Sequence, residues 1–165
     1  MNVVLVRVDN RLVHGQIIEA WIPFTKAACL AVIDDDVAND LFRTTVIRMA
    51  VPREIEVIVS RVEDFAGQYL PRPGKEPTIV LFSSIDDVKR ARACGFPIAK
   101  LNIGNIYADE CQIKCSPCVL LSGKDVEVLR ALLNAGVQID VRRVPGDKPL
   151  DIRDLIEGAT GESVP

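Results

Sequence analysis

Short apolar runs rich in Val and Ile recur along the chain, alternating with stretches whose apolar residues fall three and four positions apart. The first pattern belongs to buried parallel strands and the second to amphipathic helices, so the alternation predicts βαβ units. Strands are expected at Val3 to Val8, Ala28 to Ile33, Glu54 to Val59, Thr78 to Phe82, Lys100 to Ile103, Cys118 to Ser122 and Gln138 to Arg143. The implied fold class is α/β, a single open, mainly parallel sheet of about six to seven strands flanked by helices. A helix should begin in Gly15 to Trp21. Asp36 or Asn39 would cap a second, with Leu41, Val46, Ile47 and Ala50 turned inward and Pro52 as its stop. Further helices are expected from Val62 to Tyr69, from Asp87 to Cys94 behind a Ser84 or Asp86 cap with Gly95 as its stop, and from after Ser122 to Ala135, ended by Gly136. Pro71, Pro73, Gly74 and Pro77 mark a stiff loop. The tail, residues 146–165, is turn-rich, carries a short apolar patch at Leu150, Ile152, Leu155 and Ile156, and should fray at its end.

The one histidine of the chain, His14, falls where the first strand breaks into a charged turn and a helix begins. Ligands of open α/β sheets bind at such junctions, where free backbone N–H groups favour an anion. Arg7 and Arg11 sharpen that expectation, because a guanidinium matches phosphate oxygens as a bidentate fork. A structural role for a lone histidine near a turn stays open at this point. With 165 residues, 48% of them hydrophobic, the chain can build one core and is expected to form a single domain, 1–165. The net charge of −3 and the mixed distribution of charges argue against a nucleic-acid partner. No run approaches the ~18 apolar residues of a membrane span. The N-terminus lacks a signal-peptide pattern, so a cytoplasmic location is expected.

Five cysteines, an odd number without an export signal, suit reduced thiols. Cys29 and Cys94 fit buried packing positions. Cys111, Cys115 and Cys118 form C-x3-C-x2-C, a spacing that keeps a metal or redox protein on this fold as an alternative; with no second histidine, no metal or cofactor is expected. Gly123-Lys124 is not a P-loop, since Cys118 stands where its first glycine belongs and Asp125 where Ser or Thr should follow the lysine. No G-x-G-x-x-G follows the first strand. Asp9, His14 and Ser83 or Ser84 could converge as a triad, although the G-x-S-x-G elbow is missing.

Arg7-Val8-Asp9-Asn10-Arg11-Leu12-Val13-His14-Gly15-Gln16, followed by Trp21, resembles the active-site loop of the IIB components in the mannose/fructose/sorbose family of the bacterial sugar phosphotransferase system, which reads R-I-D-D-R-L-I-H-G-Q with a downstream Trp. The likeness continues in the acidic turn Asp34-Asp35-Asp36, in Leu81-Phe82, in Leu101-Asn102-Ile103-Gly104-Asn105 beside the family's N-V-G-G, and in Val141-Arg142-Arg143-Val144-Pro145. The resemblance implies a phosphoryl relay by a protein-histidine phosphotransferase. Phosphorylated IIA would donate to His14, and the group would pass to a sugar held by the membrane IIC and IID components, with IIB peripheral to the inner face of the membrane. It makes His14 the nucleophile and Arg11 its nearest charge partner. Asp9 would orient the ring, hold Arg11 or serve as a buried cap, and Arg7, Arg11, Gly15 and Gln16 are the phosphate-binding candidates. Trp21 suits a core anchor better than a sugar platform.

Asn10 replaces the family's second Asp, and Asn105 replaces a glycine whose left-handed conformation Asn tolerates, so the loop is expected to keep its shape. The cysteine-rich segment Ala108 to Cys118 is foreign to the pattern and leaves room for a regulator of phosphorylation state without sugar transport.

Overall fold

The computed structural model describes residues 1–68 and 76–158. Tyr69, the Pro71, Pro73 and Gly74 part of the expected loop, and the frayed end lie outside the described residues. In chain order the strands are β1 (Asn2–Asp9), β2 (Cys29–Ile33), β3 (Glu56–Ser60), β4 (Pro77–Phe82), β5 (Lys100–Asn105), β6 (Ile113–Ser116), β7 (Val119–Leu121), β8 (Gln138–Val141) and β9 (Leu150–Asp151). A π-helical turn, Gln16–Trp21, leads into α1 (Ile22–Thr25). The other helices are α2 (Asp35–Ala38), α3 (Leu41–Ala50), α4 (Val62–Gln68), α5 (Ile85–Ala93), α6 (Gly123–Asn134) and α7 (Ile152–Gly158).

Seven strands form one open sheet in the order β3-β2-β4-β1-β5-β8-β9, parallel throughout except for the antiparallel β8–β9 pair. Side-chain alternation divides the core between the two faces of the sheet. Ala31, Ile33, Val80, Phe82, Leu101 and Ile103 face one cluster, shared with α4, α5, α6 and α7. Leu30, Val32, Ile79 and Leu81 face the other, which Leu12, Ile17, Trp21, Ile22 and Val37 complete. In a π-helical turn, residues five apart share a face, so Ile17 and Ile22 are both buried beside Trp21.

Three expectations are corrected. The strand expected at Cys118 to Ser122 is β7, outside the main sheet: it pairs antiparallel with β6, a strand hidden in the cysteine-rich segment. The seventh strand of the sheet comes instead from the tail, where β9 pairs with β8 and Ile152 and Ile156 are buried in the core. The helix after β2 is two helices, capped by Asp34 and Asp40 rather than Asp36 or Asn39. The stripe of α3 faces outward, with Leu41, Val46, Met49 and the neighbouring Phe42 exposed and only Thr44 and Ile47 half-buried. The edge strand β3 supplies the reason, since α3 lies at the sheet's end and has no further layer to meet. There Arg48 donates to the Val57 carbonyl at 2.6 Å and occupies an acceptor of the edge. Caps and stops elsewhere are as expected: Ser84 accepts from Asp87 N, Ser122 and Asp125 form a capping box, and Gly95 and Gly136 adopt φ values of 93° and 86° past their helices.

Candidate active site

The site forms where β1 ends. There Asp9 is opposite Asn105 of β5, and the Asn10 amide donates to the Asn105 carbonyl at 3.0 Å. The chain turns back at once: Leu12 N donates to the Asp9 carbonyl at 2.9 Å, and Arg11 N donates to Asp9 Oδ1 at 3.2 Å. Leu12 takes φ 56°, unusual for a bulky residue, and its burial in the second core holds it there. Asn105 is not left-handed; the conformation expected of it falls to Leu12. Its side chain instead donates to Asn10 Oδ1, so the two departures from the family pattern are bonded to each other.

His14 closes the turn with its ring over Asp9. Nε2 lies 2.9 Å from Asp9 Oδ2, and Gln16 N points at Nδ1 from 3.4 Å. Since a buried carboxylate only accepts and a backbone amide only donates, the hydrogen-bond network assigns Nε2 as protonated and Nδ1 as the lone pair. Burial pushes the Asp9 carboxyl upward, but the His14 hydrogen bond and the Arg7 charge outweigh it and hold the group below the ordinary carboxylate value.

The two arginines of the loop part company. Arg11 is half-exposed at the rim, with Nη2 3.1 Å from Gln16 Oε1 and Nε 3.6 Å from Asp9 Oδ1. Arg7, expected as a phosphate ligand, is fully buried, and four acceptors occupy its terminal nitrogens: Asp9 Oδ2 at 2.9 Å, the Arg142 and Arg143 carbonyls at 2.9 and 3.2 Å, and Asn102 Oδ1. Burial lowers its pKa and the Asp9 charge opposes that. Trp21 is the core anchor expected of it. Its ring centroid lies 5.3 Å from Arg7 Cζ and 5.4 Å from Arg142 Cζ, and its indole N–H donates to the Arg143 carbonyl at 2.9 Å.

Gly15 needs neither positive φ nor tight space, since its φ is −50° and an added Cβ would meet nothing within 4 Å beyond its chain neighbours. Ser83 and Ser84 both bond Asp87 and form no triad with His14. Cys94 and Cys111 are exposed, Cys115 and Cys118 half-buried, so the burial expected of Cys94 is corrected while that of Cys29 is observed. Among the described residues no group of His, Cys, Asp or Glu is arranged to hold a metal ion. Sequence reasoning missed Asn102, Gly104 and Arg142; the signal for Gly104 was a glycine inside an apolar strand, which marks a close backbone approach.

The family model of the sorbose-subfamily IIB component of the phosphotransferase system matches residues 3–163. The chain belongs to that family. It is 33% identical over 157 residues to the sorbose-specific EIIB component of Klebsiella pneumoniae, covering 94% of this chain and 96% of that protein. It is 30% identical to the mannose-specific EIIAB component of Escherichia coli, over 94% of this chain and 49% of that longer protein. The crystal structure of the IIB domain of the Klebsiella pneumoniae sorbose permease superposes with a TM-score of 0.86 at 32% identity, over 96% of this chain and 98% of that one. The fold is therefore that of the IIB domains, and the chain is a component of a phosphotransferase system. No helix among the described residues is long and apolar enough to cross a membrane.

Proposed function

We propose that this IIB component is a cytoplasmic phosphocarrier in which Nδ1 of His14 accepts a phosphoryl group from phosphorylated IIA and passes it to a sugar held by the membrane IIC and IID components, at the inner face of the membrane. The observation that carries the assignment is the Asp9 Oδ2 contact at Nε2, which leaves Nδ1 as the unprotonated nitrogen. Nδ1 also lies on the side of the ring where Gln16 N points. A IIA donor agrees with the mannose-specific EIIAB relative, whose name joins an A part to the B part that this chain matches.

The chemistry balances without a base. The Nδ1 lone pair attacks phosphorus, the N–P bond of the donor phosphohistidine breaks, and the donor nitrogen recovers its pair. His14 becomes a phosphoimidazolium whose positive charge the Asp9 carboxylate stabilises through Nε2–H. Arg11, the exposed cation at the rim, supplies charge to the transferring oxygens, with Gln16 orienting it. On delivery a sugar hydroxyl attacks, Nδ1 regains its lone pair and the hydroxyl proton leaves to solvent or to a permease base.

With a single histidine the test is clean. Incubation with phosphorylated IIA should give one acid-labile, base-stable phosphate per chain, with phosphorus-to-nitrogen NMR coupling at Nδ1, and folded His14→Ala should take up none. Label on folded His14→Ala would overturn the relay; coupling at Nε2 would overturn the assigned nitrogen.

A further inference from the structure

We propose that Gly104 and Arg7 are positioning residues for the phosphoryl acceptor: the bare Gly104 backbone seats the Arg7 guanidinium, which fixes the Asp9 oxygen that fixes the His14 ring. The inference rests on His14 as the acceptor and adds two residues that never touch the phosphoryl group.

The geometry is a chain of close contacts. A Cβ built on Gly104 would lie 1.7 Å from Arg7 Nη2, 1.9 Å from Cζ and 2.4 Å from Nη1, so any side chain there collides with the whole head of the guanidinium. The head has nowhere to retreat. Trp21 stacks on it, and Asn102 and the Arg142 and Arg143 carbonyls engage its edge. Arg7 Nη2 and His14 Nε2 meet the same oxygen, Asp9 Oδ2, each at 2.9 Å. Moving the guanidinium therefore moves or rotates the carboxylate and frees the ring from its one strong partner.

A buried cation is costly as a stability device, because desolvation offsets much of the attraction. Its position behind the carboxylate has a specific effect on the ring: it favours the ionised Asp9, and an ionised Asp9 only accepts, so Nε2 keeps its proton and Nδ1 its lone pair. A merely structural arginine would leave the tautomer untouched, and this separates the two roles.

The experiment uses nitrogen-15 NMR of His14 together with transfer rates from phosphorylated IIA, on the wild type, Gly104→Ala, Arg7→Lys and the double variant. Wild type should show the Nε2–H tautomer. Gly104→Ala should shift the ring toward a tautomer mixture and slow transfer about 100-fold, the order expected for an ångström-scale misplacement of a reacting group, with KM for phosphorylated IIA unchanged. Arg7→Lys keeps the charge on a flexible stem without the planar head, so adding Gly104→Ala to it should change tautomer, rate and melting temperature little. An Nδ1–H tautomer in the wild type would overturn the proposal, as would wild-type tautomer and rate in Gly104→Ala, or an equal loss from Gly104→Ala in both backgrounds. Should Gly104→Ala fail to fold, a folded double variant supports the seat, and a double variant that unfolds while Arg7→Lys stays folded overturns it. The tautomer is read without any partner, so an unphosphorylated wild type would sink the relay alone, and normal transfer in Gly104→Ala would sink the positioning alone.

Discussion

Replacing Asp9 by Asn changes one oxygen to nitrogen at the centre of the site, and the structure predicts losses in both stability and transfer. Asp9 and Arg7 are both fully buried and paired at 2.9 Å. Neutralising one member leaves a buried cation without its counter-charge, a change that costs about 3–5 kcal/mol. Against a total stability of roughly 5–15 kcal/mol, the variant should still fold but melt roughly 6–20 °C lower. The pH dependence has a definite sign. Folding depresses the Asp9 pKa below its ordinary 3.8, so its contribution is complete above that value and is lost as pH falls through the lower folded one. The gap in melting temperature between wild type and variant should therefore be constant near neutrality and close below about pH 4. Transfer should suffer more. An Asn amide can donate to Nε2 and drive the proton onto Nδ1, the nitrogen proposed to attack, and misassigning an imidazole tautomer in this way costs ~10⁴-fold in rate elsewhere. Melting curves across pH and transfer from phosphorylated IIA check the two halves. A variant that melts with wild type at pH 7 would refute the buried-pair argument, and near-normal transfer would refute the tautomer argument.

Arg11→Lys should fold like wild type, since the side chain is 48% exposed, yet lose ~100 to 1,000-fold in transfer if its planar fork stabilises the moving phosphoryl group; a near-normal rate would place that contact elsewhere. Gly15→Ala meets no strained φ and no residue beyond its chain neighbours, so its melting temperature should hold or rise while transfer from the bulky protein donor slows, and unchanged transfer would mean that the open space at Gly15 is not used. The triple replacement of Cys111, Cys115 and Cys118 by Ser should leave transfer near wild type in both reduced and oxidised protein; a redox effect that disappears in the variant would make the hairpin a regulator. Within that group Cys115 should resist alkylation at neutral pH, because burial and the neighbouring Cys111 push its thiol to about 11. Alkylation of Cys115 as fast as of exposed Cys111 would contradict this. Asn105→Gly removes the donor to Asn10 and should destabilise the loop by about 0.5–1.5 kcal/mol; unchanged exchange of the loop amides would show that bond to be dispensable.

Period-two and helical patterns made the sheet, most helices and the His14 junction legible, because those features depend on local apolar order along the chain. What escaped depends on which element lies next to which. The stripe of α3 is apolar in the way an inward face is, and only the edge position of β3 explains why Leu41 and Met49 meet solvent. Cys118 to Ser122 has strand composition, but periodicity carries no partner, so β7 joined the wrong sheet in the sequence-based expectation. Arg7 and Arg11 are chemically equivalent on paper, four residues apart. Their divergence, one buried beneath Asp9 and one at the rim, follows from where β1 ends: Arg7 lies inside the strand, between β4 and β5 and under the carbonyls that follow β8, while Arg11 lies in the turn beyond it, and no short window contains those neighbours.

The distribution of contacts around His14 suits a carrier better than a binding site. The strong interactions lie beneath the ring, on Nε2: a buried carboxylate, a buried guanidinium behind it, and backbone carbonyls and an indole behind that. At Nδ1, among the described residues, there is a long contact from the Gln16 amide, and the nearby Arg11 is held at the exposed rim by Gln16 Oε1. Preorganising the far side lowers the barrier in both directions, because ring orientation and Asp9 charge serve acceptance and donation alike. Binding the phosphoryl oxygens tightly would favour only the loaded state and raise the barrier to delivery by the same free energy. On the proposed relay, a guanidinium that acts through Asp9, rather than on the phosphoryl group itself, would stabilise the imidazolium character common to both transfers without holding the cargo.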